Sequence, residues 1–201
     1  MLASNSKKPL KIAIVAGEIS GDILGSKLME SIRSLDSSVE FIGVGGSKMT
    51  LLGLDSFFVM DEISVMGIIE PLLKLRKLLR LRKELKNFFA DESPDLFIGI
   101  DSPDFNIPIA KFLKKRNIRT IQYVSPSVWA WREGRIRSME KAIDAVFTLF
   151  PFEKNAYSKS AIDAFYIGHP LSYEISLTRE EIHSKEVNSV ALLPGLSLIH
   201  I

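Results

Sequence analysis

The fold turns on "KIAIVAGEISGDILG", residues 11–25. A short apolar run stops at a glycine, a polar turn punctuated by further glycines follows, and an amphipathic run then begins. An apolar strand without alternation is buried on both faces, which is the condition of a parallel sheet covered by helices. The same unit recurs along the chain. "EFIGVG" (40–45), "LFIGID" (96–101), "TIQYVS" (120–125), "AVFTLF" (145–150) and "AFYIGH" (164–169) read as buried strands, with helices over 21–34, 67–90, 106–117, 134–142 and 152–160. Alternation of this kind predicts an α/β fold, a doubly wound parallel sheet of Rossmann-like type.

Composition agrees with one well-buried core. The chain has 201 residues, 46% hydrophobic and 25% charged, and roughly 100–200 residues make a domain. A formal net charge of +2 supplies no basic field for nucleic acid. With no cysteine there is no disulfide scaffold, thiolate nucleophile or cysteine zinc site. Residues 1–10 read as a disordered basic arm. The apolar run after it is too short for a signal peptide, and no run approaches the ~20 residues of a membrane span. These features predict a cytoplasmic protein whose membrane contact, if any, lies at its surface. Residues 11–170 form the expected domain. "LSYEISLTREEIHSKEVN" (171–188) is polar and reads as a linker, and "SVALLPG" (189–195) reads as a strand and turn opening a second domain. Residues 189–201 are therefore expected to be the truncated start of that domain.

In a sheet of this kind ligands bind beyond the carboxyl ends of the strands. After the first strand come Gly17, Gly21 and Gly25 at intervals of four, which is not the dinucleotide pattern. The turn suits either close approach of a ligand to a helix amino end or a tight turn with Asp22 or Ser20 as N-cap. "GIDSPDFN" (99–106) ends a buried strand on Asp101, a partly desolvated carboxylate of the kind used as a general base. Asp104 in the same stretch reads first as a cap for the next helix. "YVSPSVWAWR" (123–132) holds both tryptophans, Trp129 and Trp131. Two rigid amphipathic rings in a loop suit a sugar, an acyl chain or a membrane interface, against the alternative of a loop folded over the core. Arg132, with Arg135 and Arg137 behind it, offers a fork of donors to phosphate. His169 in "IGHP" reads as a structural hydrogen-bonding group before a catalyst. No cluster of His and carboxylates has ligand spacing, so no metal is expected.

The stretch 66–89, "MGIIEPLLKLRKLLRLRKELKNFF", is apolar on more than one side. Ile68, Leu72, Leu75 and Leu79 form one stripe, and Ile69, Leu73, Leu78, Leu81 and Leu85 spill beyond it. Seven Lys or Arg against two Glu intersperse them. That mixture suits either an anionic membrane surface or burial against a partner domain or subunit.

Taken in register, "VAGEISGDILG", "FIGVGG", "VMGIIE", "GIDSPDFN", "YVSPSVWAWR", "LFPFEKNAY", "IGHPL" and "ALLPG" resemble the lipid-A-disaccharide synthase family, from about residue 11 to 195. The resemblance implies the N-terminal half of an inverting glycosyltransferase with two Rossmann-like domains (GT-B). It implies transfer from UDP-2,3-diacylglucosamine to 2,3-diacylglucosamine 1-phosphate, giving the β-1′,6-linked disaccharide and UDP, without a cofactor or metal. Asp101 is the implied base. Implied substrate contacts come from Glu18, Ser20, Gly21, Asp104, Asn106, Ser127, Trp129, Trp131, Arg132 and His169. Implied membrane contacts come from Ile69, Leu72, Leu75, Leu78 and Leu79, placing the protein peripherally on the inner face of the inner membrane. No nucleic acid is implied, and a homodimer is left open. Where the family continues "LLPGSR", this chain reads "LLPGLSLIHI", so most donor-binding residues are missing and the chain alone is expected to be inactive. The alternatives from other classes are a UDP-sugar epimerase-like enzyme and a non-catalytic lipid- or nucleotide-binding module.

Overall fold

A computed structural model describes residues 8–63, 69–126, 133–170 and 172; within these, the side chains of 61, 69–74 and 133–135 are outside the description. Seven strands form one sheet: β1 (Lys11–Ala16), β2 (Glu40–Val44), β3 (Leu54–Ser56), β4 (Leu96–Ile100), β5 (Arg119–Tyr123), β6 (Ala145–Thr148) and β7 (Asp163–Tyr166). Their order is β3-β2-β1-β4-β5-β6-β7. All six pairings are parallel, with Ile14 opposite Gly43 on one side and Ile98 on the other. The α/β, Rossmann-like expectation holds. The chain reverses direction across the sheet between β1 and β4, and a ligand crevice opens at such a switch.

Five helices are described: α1 (Ile19–Leu35), α2 (Ser47–Leu51), α3 (Ile69–Glu92), α4 (Pro103–Lys114) and α5 (Glu133–Glu140). Short 3-10 segments cover Met60–Glu62 and Pro151–Tyr157. Helices α3, α4 and α5 pack one face of the sheet, where Val15, Phe97 and Val146 meet Leu85, Phe89, Ile109, Leu113 and Met139. Helices α1 and α2 pack the other face, where Ile12, Ile14, Ile98 and Ile100 meet Leu24, Met29 and Met49. Full burial of such side chains contributes about 1.5–3 kcal/mol each. On this second face the contacts of α1 and α2 extend from β3 to β4. Beyond β4, Ile121, Phe147 and Leu149 are only half-buried, and Phe165 and Ile167 are exposed.

All six expected strands are present; β1 ends where expected, and the other five end one to three residues early because those residues belong to the rim. Neither β3 nor α2 was expected from the sequence. The segment expected as a helix over 152–160 is a 3-10 turn over Pro151–Tyr157. The capping expectations need correction. Glu18 occupies the N-cap position of α1, and Ser20 lies inside that helix. The Asp22 carboxylate caps a different helix: it accepts backbone N–H bonds from Gly46 (2.9 Å), Lys48 (3.0 Å) and Met49 (3.0 Å) at the start of α2. A Cβ at Gly46 would collide with that carboxylate. Ser102, not Asp104, is the N-cap residue of α4; Asp104 sits in the first turn, where its charge suits the helix dipole. On α3, Leu81 and Leu85 face the core, Leu78 packs partly against it, and Leu75 and Leu79 are exposed. The arm over 1–7, most of the linker and the whole 189–201 segment lie outside the described residues.

Candidate active site

The carboxyl ends of β1 and β4 lie side by side, with Val15 opposite Gly99 and Ala16 opposite Ile100. The next residues on each strand therefore meet. Gly17 faces Ser102 so closely that a Cβ would come within 2.7 Å of the Ser102 Oγ. Beside it stand Glu18 and Asp101. Burial raises the Glu18 carboxyl above its ordinary value of 4.5, and the Asp101 charge adds to that rise. The two carboxylates are thus near neighbours at the switch point, and Glu18 holds its proton to higher pH than a free glutamate. Asp101 is half-buried, so solvent can reach it.

The backbone that carries Asp101 is unusual. Asp101 (φ 49°), Ser102 (φ 37°) and Val124 (φ 74°) all lie in the left-handed region. For residues other than glycine this costs on the order of 1–3 kcal/mol each, most for a β-branched one. Two buried amides brace these turns. The Asn106 Nδ2 donates to the carbonyls of Asp101 (3.0 Å), Ile100 (3.2 Å) and Val15 (3.4 Å). The Gln122 Nε2 donates to the carbonyls of Asp101 (2.9 Å), Tyr123 (3.4 Å) and Val124 (3.4 Å). The Asp101 N–H in turn donates to the Tyr123 carbonyl at 2.9 Å. Asn106 is 0% exposed and so lies beneath the rim, below the surface a substrate would touch.

Farther along the rim, the Ser125 and Tyr157 hydroxyls share a 2.8 Å hydrogen bond, and Ser125 also donates to the Pro126 carbonyl. Burial raises the Tyr157 phenol, which keeps it protonated. This pair anchors the start of the stretch that continues into 127–132. Glu153 accepts the N–H groups of Leu149 and Phe150 through Oε2, both at 2.9 Å, and holds the turn after β6. Phe150 and Phe152 stack at 5.7 Å with nearly parallel planes, and the His169 ring lies 6.5 Å from Phe150. Both phenylalanines are about half exposed.

The rim thus brings Glu18, Gly21, Asp101 and Asn106 around one switch point, with Ser20 and Asp104 exposed in the first turns of α1 and α4. His169 lies at the far end, beside the phenylalanines. Ser127, Trp129, Trp131 and Arg132 lie outside the described residues, as do the side chains of Ile69 and Leu72. Sequence reasoning missed Gln122, Ser125, Glu153 and Tyr157. A polar Gln inside an otherwise apolar buried strand was the available signal for the first of these. Among the described residues no three His, Asp or Glu side chains gather in a way that could hold a metal ion, and no described helix is long and apolar enough to cross a membrane.

Comparison with known proteins places this geometry in context. The family described as Lipid-A-disaccharide synthetase matches residues 12–196. The lipid-A-disaccharide synthase of Idiomarina loihiensis is 50% identical over 195 residues, covering 94% of this chain and 52% of the relative. Those of Colwellia psychrerythraea and Acinetobacter baylyi are each 46% identical, covering 95% and 94% of this chain and 50% of each relative. The chain spans about half the length of the curated relatives it matches. A match over this much of the chain sets the epimerase-like alternative aside.

Proposed function

Because this chain belongs to the lipid-A-disaccharide synthase family, we propose that it forms the acceptor-side half of a glycosyltransferase of lipid A biosynthesis. The donor is UDP-2,3-diacylglucosamine and the acceptor 2,3-diacylglucosamine 1-phosphate. Asp101 takes the proton of the acceptor's 6-hydroxyl as that oxygen bonds to the donor's anomeric carbon. The bond from that carbon to UDP breaks on the opposite face, so configuration inverts and UDP carries away the electron pair. Glu18, Ser20 and Gly21 on one side, and Asp104, the 127–132 stretch and His169 on the other, border the acceptor's path. A second Rossmann-like domain, in the half of the relatives that this chain does not span, carries most of the donor diphosphate site.

The observation that carries this reading is Asp101 itself, half-exposed just beyond β4 at the switch of the sheet, in a backbone conformation braced from below. Exposed Leu75 and Leu79 on α3, with Arg76, Lys77, Arg80 and Lys83 around them, form the proposed contact with an anionic bilayer face. Part of that charge is already engaged, since Lys77 pairs with Glu62 at 3.1 Å and Arg80 with Glu84 at 2.8 Å.

The test is UDP release from acylated substrates by the full-length enzyme and by its Asp101→Asn variant. Loss of a general base lowers kcat by about 10²–10⁴-fold. Parental turnover by the variant would remove Asp101 from the mechanism.

A further inference from the structure

We propose that Asn106 and Gln122 are positioning residues that hold Asp101 in its left-handed conformation and so present its carboxylate to the substrate beside Glu18. This rests on the reading of Asp101 as the base, and extends it to two residues that touch no substrate.

The geometry leads there by three steps. First, the strand carrying Asp101 would by itself run on in extended conformation, which stands its side chain out from one face of the sheet rather than onto the rim. Two consecutive positive φ values, at Asp101 and Ser102, turn the chain sharply into α4 instead. Second, such turns persist in non-glycine residues only where the surroundings over-determine them. Here side chains from two different elements, α4 and β5, converge on one atom, the Asp101 carbonyl oxygen, at 3.0 and 2.9 Å. That oxygen's direction fixes the peptide plane between Asp101 and Ser102.

Third, both amides are placed for this task and little else. Asn106 and Gln122 are 0% and 1% exposed. The Asn106 amide NH2 serves three carbonyls, while its Oδ1 is buried with no hydrogen-bond partner among the described residues. A side chain kept for its donors alone fits a bracing role, because an unused buried acceptor is otherwise a cost. Gly99 completes the arrangement: a Cβ there would come within 2.8 Å of the Asn106 Cβ, so glycine makes the room that Asn106 occupies. The Gln122 contact with the Val124 carbonyl extends the brace to the neighbouring strand end, so both lips of the crevice are set by one amide.

The experiment is a double-mutant cycle in the full-length enzyme. Gln122→Met and Asn106→Leu remove the donors while keeping most of the volume. Each is expected to lower kcat by about 10–100-fold, as displacements near 1 Å do, with acceptor KM changed less than about threefold. Added to Asp101→Asn, neither should lower the remaining rate further, because the group they position is already gone. A merely structural role would lower that residual rate by the same factor again, and this outcome overturns the proposal while leaving the base intact. Parental turnover by Asp101→Asn alone would instead overturn the reading beneath it. Should a variant fail to fold, a crystal structure of the unaltered full-length enzyme decides. Asp101 at positive φ with both amides on its carbonyl supports the brace, and an extended Asp101 ends it.

Discussion

Glu18 is a residue whose acid–base chemistry the fold alters. Burial and then the Asp101 charge raise its carboxyl above 4.5, so the folded state prefers it protonated. Its contribution to stability is therefore full below the ordinary glutamate range and is lost as pH rises through the raised folded value. Glu18→Gln should abolish that decline, so that the variant gains on the parent in denaturation midpoint between acid and neutral pH. Asp101→Asn should bring the Glu18 titration partway down, since burial, the larger cause, remains; carboxyl NMR titration reads the change directly. An unchanged Glu18 value would mean that the two groups do not interact. At this scale the sequence showed Asp101 plainly, because it ends an apolar strand, whereas Glu18 entered only through the family resemblance. Gln122 was hidden, since only the folded register brings its side chain to the carbonyl of a residue on the adjacent strand.

Among the elements, α2 illustrates what local sequence does not encode. "SKMTL" (47–51) has neither the length nor the pattern of a stable helix, and no side chain of its own caps it. It exists because a carboxylate 24 residues earlier takes three of its amino-end N–H groups, counting that of Gly46. Asp22→Ala should lower stability by about 2 kcal/mol or more, since a lost cap and unpaired buried donors add together. Urea denaturation measures this, and Asp22→Asn should retain part of it through its remaining acceptor. A loss within 0.5 kcal/mol, roughly the range of an ordinary surface substitution, would show that α2 stands without the cap. Strand β3 was missed for a similar reason: three residues, "LDS", form it only by pairing with β2. Helix α3 was legible as a helix but ambiguous as to face, because its apolar residues exceed one stripe. The core selected Leu81, Leu85 and Phe89.

For the whole molecule, the alternation of apolar strands and helices was enough to give a parallel sheet and to point to its carboxyl rim. Strand order and the division into two cores required the coordinates. The proposed membrane contact belongs to this scale, since it concerns a surface rather than a group. Flotation of the full-length protein with anionic vesicles should fall at least severalfold when Leu75 and Leu79 become serine, and the remainder should fall with added salt as headgroup attraction is screened. Flotation unchanged by both would move the contact elsewhere.

The second face of the sheet beyond β4 has a consequence for anyone handling this half by itself. Phe165 and Ile167 are 51% and 39% exposed there. A greasy flank of this kind favours neighbour-to-neighbour adhesion as concentration rises. Colloidal behaviour, more than melting temperature, should then set the limit on working with the isolated piece.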